Sequence, residues 1–297
     1  MQNYHWCEMK LLREYWQMML FRIPKLMRRP PNLGRLLAAT SLSSFTLLSN
    51  ASLSSKAVAP PSLVVVGNYT QFIEGKLQTN TRYSDVMQSL KLSPASFGLG
   101  TVNNVNGEVI IIGKVPFIAR PDGVTRLDPD SGAPYAMVCA GSNQSEKQVV
   151  NNVDYDAIKE LVSTQLKSDV VGVGFHIKGV FETLDFRNET NTDPNKSLEQ
   201  ILKTQQEFKV HDVKGDIVGF MFDNNMAPTT GPGMHAHAVF HDDANTLLGG
   251  HVFSVLVRSA TLTMQPIKAN EIKYIEAKPF DASNSDADDK PAQKLCP

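Results

Sequence analysis

Short apolar runs, each ended by glycine, asparagine or aspartate, recur along the chain from about residue 62 and predict a protein built mainly of β-strands. The first run, Leu63–Val66, contains no polar residue, so it predicts a strand that is buried on both faces. The Asn106-Gly107 pair is a strong signal for a hairpin turn. Further strands are predicted at residues 109–112, 115–120, 133–139, 170–177, 179–186, 206–213, 216–222, 248–257, 260–267 and 272–277.

Helical spacing is confined to two segments, residues 85–91 and 155–167. We therefore expect a β-rich α+β protein: two lobes of mixed β-sheet with few helices. The predicted domains are a leader at residues 1–61, an N-terminal α/β lobe at 62–166, a C-terminal β-rich lobe at 167–280 and a disordered, solvated tail at 281–297.

The leader differs in composition from the rest of the chain. No aspartate or glutamate occurs between Tyr15 and Ile73, while arginine and serine are frequent. This composition is typical of a mitochondrial transit peptide, but a basic start, a short apolar core and small residues near Ala57 also fit a secretory signal. Asn-x-Ser/Thr sequons favour secretion slightly; they occur at Asn50, Asn68, Asn143, Asn188 and Asn195. The predicted localisation is therefore secreted or organellar, and the sequence leaves both open.

Charge, apolar-run length and cysteine content limit the kinds of binding partner and site that this chain is expected to have. A formal net charge of -1 over 297 residues gives no basic field for nucleic acid. The apolar runs of the leader are too short to span a membrane. The three cysteines, Cys7, Cys139 and Cys296, are far apart and show the spacing of neither a disulfide framework nor a thiolate metal site. We expect a small-molecule substrate, no nucleic-acid or membrane partner, and a homodimer as an open alternative to a monomer.

Three histidines form the strongest candidate for a chemical site. His235 and His237 are two residues apart, so both side chains leave the same face of a strand, and His251 follows Gly249-Gly250 at the start of the expected return strand. Three neutral imidazoles without a thiolate suit Zn²⁺ with one coordination position left open. The sequence thus predicts a metal site on a β-hairpin of the C-terminal lobe.

The other histidines are given ordinary interpretations. A single strand histidine is more often a packed or surface residue than a ligand, and only the third histidine behind two glycines strengthens the His-x-His pair. His241 has the same strand parity but precedes Asp242-Asp243, so it is predicted to lie in a loop. His5, His176 and His211 have no comparable partners.

An ordered set of short motifs resembles the alpha-acetolactate decarboxylase family. The pieces extend from about residue 64 to 277: Phe97-Gly-Leu-Gly-Thr101, Asn106-Gly-Glu108, Gly174-Phe-x-Ile-x-Gly-x-Phe181 with Arg187, Gly215-x-x-Val-Gly-Phe220, Pro232-Gly-x-His-x-His237 and Gly249-Gly-His-Val252. The resemblance implies a two-lobed fold and zinc-dependent decarboxylation of 2-acetolactate to acetoin and CO2. It also implies that His235, His237 and His251 hold the zinc, and that the family's active-site threonine, glutamate and arginine correspond to Thr101, Glu108 and Arg187.

These residue types fit such chemistry. Loss of CO2 from a β-keto acid leaves an enediolate, whose developing charge a metal stabilises as a Lewis acid. The planar guanidinium of Arg187 is suited to bind a carboxylate, and Glu108 could deliver a proton if burial raises its pKa. The ordinary alternatives are a surface ion pair of Arg187 with Glu182 or Asp185, and a solvated turn position for Glu108.

The chain departs from the family pattern in three places, and two other classes of protein stay open. The connector between His237 and His251 is a few residues longer than usual, the tail offers no counterpart of the family's C-terminal glutamate, and Asn188-Glu-Thr-Asn-Thr192 replaces a proline-rich stretch. A non-catalytic metal-binding relative is favoured by the missing glutamate and disfavoured by the retention of Thr101, Glu108 and Arg187. A cupin-like metal-dependent oxygenase shares Gly-x-His-x-His but would need a glutamate shortly after the histidines.

Overall fold

The computed structural model describes residues 62–142 and 145–281, and the predicted leader and almost all of the predicted tail lie outside this part. Within it the β-rich α+β architecture is confirmed, as two sheets with a few short helices. The strands, numbered in chain order, are β1 Leu63–Val66, β2 Phe97–Thr101, β3 Glu108–Ile112, β4 Val115–Arg120, β5 Gly123–Arg126, β6 Tyr135–Cys139, β7 Glu146–Asp154, β8 Gly172–Asn188, β9 Gln206–Phe222, β10 Met234–His241, β11 Leu247–Ile267 and β12 Ile272–Ile275. The helices are α1 Tyr69–Ile73, α2 Tyr83–Gln88, α3 Tyr155–Ser163, α4 Leu198–Leu202 and α5 Ala227–Thr230.

The first sheet has seven strands in the order β12-β1-β6-β2-β3-β4-β5. The pair of β1 with β12 is parallel, and all its other pairs are antiparallel. As the unbroken apolar run predicts, all four residues of β1 are buried. The chain therefore returns to its first described strand after the second sheet is complete.

The second sheet has five strands in the order β10-β9-β8-β11-β7, and β10 also pairs with β11. Pairing thus returns to β10, so that β10, β9, β8 and β11 form a closed ring of neighbours with β7 attached outside it. Closure places the start of β11 between β10 and β8.

Three strands are longer than their sequence pattern predicts. Residues 170–177 and 179–186 belong to the single strand β8, residues 206–213 and 216–222 to β9, and residues 248–257 and 260–267 to β11. The glycines at the expected breaks serve close packing: a Cβ at Gly179 would lie 2.3 Å from the Ser259 carbonyl oxygen, and one at Gly215 would lie 2.3 Å from that of Val239.

Two strands, three short helices and the bounds of the other two helices differ from the predictions. The helices α1, α4 and α5 were not predicted. The strand β5 was not predicted, and neither was β7, whose mostly polar sequence exposes most of its residues at a sheet edge. The helix predicted at residues 85–91 is α2, and the one predicted at 155–167 is α3, which begins where the Asp154 side chain accepts a hydrogen bond from the Ala157 amide.

The two sheets pack against each other through a shared apolar core. Leu99 and Ile110 of the first sheet lie in one buried cluster with Val218 and Phe220 of the second. The strand β7 and α3, which precede residue 166, pack with the second sheet. The lobe boundary at residue 166 stays a prediction. None of the helices in the described part of the chain is long and apolar enough to cross a bilayer.

Candidate metal centre

The hairpin of β10 and β11 brings the three predicted histidines together. His237 lies directly opposite His251 in the antiparallel register, and His235 precedes His237 on the same face of β10. Gly250 adopts a positive φ of 153°, and a Cβ there would lie 2.3 Å from the Arg187 carbonyl oxygen. A side chain at this position would therefore push β11 away from β8 immediately before His251.

The three imidazoles have the spacing of a metal-binding group. One ring nitrogen of each histidine lies within 4.8 Å of the others, and the Nε2 atoms of His235 and His237 are 3.1 Å apart. Two nitrogens bound to one tetrahedral zinc ion would be separated by about 3.3 Å. The side chain of His251 is 21% exposed, so the group is reachable from solvent. The residues present therefore fit a metal ion.

Hydrogen bonding and burial keep the His237 imidazole neutral. Its Nδ1–H donates to the Val109 carbonyl oxygen at 2.9 Å, which leaves Nε2 as the unprotonated nitrogen facing the other rings. Burial, opposed by this hydrogen bond and assisted by the nearby Arg187 charge, lowers the pKa of His237 to about 4. Burial likewise lowers the pKa of His235 and His251 well below the usual value. Neutral imidazole is the form that binds metals.

Glu108 reaches this group from the first sheet. It is the first residue of β3, its side chain is only 8% exposed, and its Oε2 lies 3.4 Å from His237 Nε2. The interpretation as a solvated turn residue is therefore wrong. Burial raises the pKa of Glu108, while a hydrogen bond from Glu189 and the charge of Arg187 oppose that rise.

Thr101 is the cross-strand neighbour of Glu108 in the β2–β3 pair. It is buried, and its hydroxyl donates to the Gly107 carbonyl oxygen at 2.9 Å. This bond closes the loop that leads into Glu108. The structure thus places Thr101 beside the acid as a support for its backbone.

Arg187 lies on β8, where its backbone pairs with that of His251. Its Nη1 donates to Gln205 Oε1 at 2.9 Å, and its guanidinium carbon lies 5.2 Å from the centre of the Phe253 ring. Its Nε is 2.9 Å from an oxygen of Glu189. Arg187 is therefore a constrained side chain of the site, and the predicted alternative of a surface pair with Glu182 or Asp185 is wrong.

Glu189 is a member of this cluster that the sequence analysis did not identify. It is 1% exposed, and its carboxyl interacts with both Arg187 and Glu108. A glutamate two residues after Arg187 shares the face of Arg187 if the extended chain continues, which was the available signal. Burial and the neighbouring Glu108 raise the pKa of Glu189 well above the usual value.

The remaining histidines of the described chain stay outside the group. His241 is the last residue of β10, so its predicted loop position is wrong, although its side chain is exposed. His176 pairs with Asp216 at 2.7 Å, and His211 is exposed on β9. His5 lies outside the described residues. The cluster combines three neutral nitrogen donors with a buried acid and a guanidinium, a set suited to an anionic substrate with oxygen atoms that chelate a metal.

Comparison with known proteins gives one consistent relationship. The sequence model described as alpha-acetolactate decarboxylase matches residues 66–286. The alpha-acetolactate decarboxylase of Brevibacillus brevis is 26% identical over 196 residues, covering 65% of this chain and 67% of that protein. The corresponding protein of Raoultella terrigena is 27% identical over 197 residues, covering 66% of this chain and 73% of its own length.

Solved structures show the same fold. The crystal structure of alpha-acetolactate decarboxylase from Bacillus subtilis strain 168 aligns with a TM-score of 0.64 at 21% identity, covering 76% of this chain and 93% of that one. A Staphylococcus aureus protein described as similar to alpha-acetolactate decarboxylase gives 0.63 at 21% identity, with coverages of 78% and 94%. Because the family match at residues 66–286 extends over more than half of the 297 residues, the chain belongs to the alpha-acetolactate decarboxylase family.

Proposed function

We propose that this protein decarboxylates 2-acetolactate to acetoin and CO2 with a zinc ion held by His235, His237 and His251. The observation that carries the proposal is the convergence of three neutral imidazoles, a buried glutamate and a constrained arginine at one centre. Membership of the family supports the choice of substrate. The same family membership makes a cupin-like oxygenase a weaker hypothesis than a decarboxylase.

Zinc is proposed from the chemistry of the donors. The cluster offers three imidazole nitrogens and no thiolate, and imidazole is a preferred zinc ligand. Three protein ligands leave a coordination position for substrate, as in catalytic zinc sites. When bound, zinc supplies Lewis acidity that stabilises the negative charge developing on the substrate oxygens.

The protein's own residues bind the substrate and move the proton. The Arg187 guanidinium receives the carboxylate and orients its carbon–carbon bond for cleavage. As that bond breaks, CO2 leaves and the electron pair remains on the former α-carbon as an enediolate. The Glu108 carboxyl then gives its proton to this carbon, which completes acetoin and leaves the carboxylate to recover a proton from water.

The test is an assay of the purified protein with racemic 2-acetolactate, measuring acetoin and CO2 together. We expect activity to disappear after chelation and return with Zn²⁺. A zinc-loaded protein that forms no acetoin would point to the non-catalytic metal-binding relative, and oxygen consumption without acetoin would point to an oxygenase.

The ligand assignment makes a separate prediction. Replacing His251 by alanine should abolish stoichiometric zinc binding, because two imidazoles hold the ion far less tightly than three. His241→Ala is the matched control, since this exposed histidine lies on the same hairpin outside the group. Metal analysis after dialysis decides the matter: retained zinc in His251→Ala together with lost zinc in His241→Ala would reverse the assignment.

A further inference from the structure

The last residue of β8 and the irregular residues that follow it form a largely buried segment beside the histidine cluster. Asn188, Glu189 and Asn191 are all at most 5% exposed, although connecting segments usually lie on the protein surface. Asn188 Nδ2 donates to the Gly249 carbonyl oxygen at 2.8 Å, and Asn191 Nδ2 donates to that of Asn104 at 3.1 Å. These bonds hold the segment between the β10–β11 hairpin and the loop that leads into Glu108.

Glu189 is the one acid that this segment carries into the interior. Burial of a carboxyl is costly unless polar partners surround it, and a surface position would avoid that cost. Its Oε1 lies 2.9 Å from Arg187 Nε, and both of its carboxyl oxygens are buried. Its other polar neighbour is the Glu108 carboxyl. The Glu189 carboxyl therefore lies between a guanidinium and a second carboxyl.

The contacts of Arg187 show what Glu189 adds. Gln205 holds Nη1 and Phe253 lies against the guanidinium plane, while Glu189 is placed at Nε. Without Glu189, the arginine would lose its partner on the side that faces Glu108.

We infer that Glu189 is a positioning residue: its carboxyl, set between Arg187 and Glu108, holds both side chains in the orientation that decarboxylation requires. This role rests on the proposed function. Nothing in it requires Glu189 to touch the substrate. Its effect is exerted through the guanidinium that binds the carboxylate and through the acid that delivers the proton.

Two substitutions distinguish a positioning role of the Glu189 carboxyl from a role in which the side chain only fills space. Glu189→Leu keeps a buried side chain of similar volume but removes both polar contacts, whereas Glu189→Gln can still accept from Arg187 and donate to Glu108. Per bound zinc, we expect Glu189→Leu to lower kcat/KM roughly 10–100-fold, with KM raised and kcat lowered, because small misplacements of catalytic groups are costly. Glu189→Gln should stay within a few-fold of wild type. Glu182→Leu, on β8 and outside the cluster, is the matched control.

A double-mutant cycle with Arg187→Lys supplies the second readout. If Glu189 acts through Arg187, Glu189→Leu should cost clearly less in the Arg187→Lys background than in wild type. Unchanged kinetics per zinc in Glu189→Leu, a loss in Glu189→Gln as large as in Glu189→Leu, or additive effects in the cycle would each overturn the role. If Glu189→Leu does not fold, the isosteric Glu189→Gln variant alone still decides between retention and loss.

The same measurements keep the two proposals apart. An active wild type whose Glu189→Leu variant turns over normally overturns only the role of Glu189. A zinc-loaded wild type that releases no CO2 overturns the proposed function and, with it, this role.

Discussion

Glu108 and Arg187 approach the histidines from different sheets, and the identity of each side chain matters more than its bulk. Glu108 begins β3 in the first sheet, while Arg187 lies near the end of β8 in the second. Both side chains are largely buried: Arg187 lies beside the Glu189 carboxyl, and Glu108 lies beside the His237 imidazole. Substitutions that keep size but change proton or hydrogen-bond chemistry are therefore the informative ones at this scale.

Glu108→Gln should retain zinc and lose turnover. An amide occupies the same volume without a transferable proton, and general acid catalysis typically contributes roughly 10²–10⁴-fold to a rate. Zinc content by elemental analysis and kcat on 2-acetolactate provide the measurement. Wild-type kcat in a zinc-loaded Glu108→Gln protein would remove the proton-donor role.

Arg187→Lys should weaken substrate use far more than metal binding. An ammonium cannot reproduce the planar fork of a guanidinium, and hydrogen bonds to charged groups contribute about 1.5–3 kcal/mol, so kcat/KM should fall about 10–100-fold. Arg258→Lys is the control, because Arg258 pairs with Asp212 at the exposed surface of β11. Equal kinetics for the two variants would contradict a carboxylate-binding role for Arg187.

At the scale of elements, the hairpin of β10 and β11 depends on how closely β11 can approach β8. Gly250 is the position where this approach is tightest beside the site, with the Arg187 carbonyl oxygen 2.3 Å from a Cβ placed there. Gly233, at the start of the same hairpin, also has a positive φ, of 74°, but nothing lies within 4 Å of a Cβ placed there. Comparing substitutions at the two glycines therefore distinguishes the effect of close packing from that of backbone strain.

Gly250→Ala should lower the melting temperature more than Gly233→Ala and should also weaken zinc binding. Both variants pay the conformational cost of a positive φ, about 1–3 kcal/mol, but only Gly250→Ala displaces β8 and the adjacent His251. Thermal melts with and without zinc measure both effects. Equal melting temperatures and equal zinc affinities would show that the close approach is not what requires Gly250.

For the whole molecule, β1 joins the last described strand to the rest of the first sheet. It lies between β12 and β6, and its four side chains are fully buried. The preceding residues 1–61 lie outside the described part, and their role as a secretory or mitochondrial leader stays a prediction, as does a homodimer. The strand pairing alone indicates where truncation should begin to damage the fold.

A chain beginning at Pro60 should therefore fold, bind zinc and keep full decarboxylase activity. Removing residues 60–67 as well should destabilise it strongly, because β12 and β6 would each lose a partner and the buried face of the sheet would be opened. Thermal melts of the two proteins provide the comparison. Unfolding of the chain that begins at Pro60 would mean that the leader belongs to the domain.

The sequence by itself determined the strand-rich architecture, the burial of β1 and the grouping of the three histidines, because these follow from local rules. Alternating side-chain direction puts His235 and His237 on one face, and an unbroken apolar run predicts a buried strand. The motif resemblance added Glu108 and Arg187. It could not show that Glu108 is buried against His237, since that contact joins strands of two different sheets.

Only the tertiary structure decided the length of β8, β9 and β11, the polar edge strand β7 and the place of Glu189. Gly179 and Gly215 looked like strand ends but permit close strand packing, a distinction that depends on the neighbouring backbone. Glu189 looked like part of a polar loop, yet hydrogen bonds from its neighbours Asn188 and Asn191 to distant residues hold its segment inside. The physical reason is common to all three. Periodicity reports which way a side chain leaves its own strand, whereas burial and pairing depend on other segments of the chain, as the contacts of Asn188 with Gly249 and of His237 with Val109 illustrate.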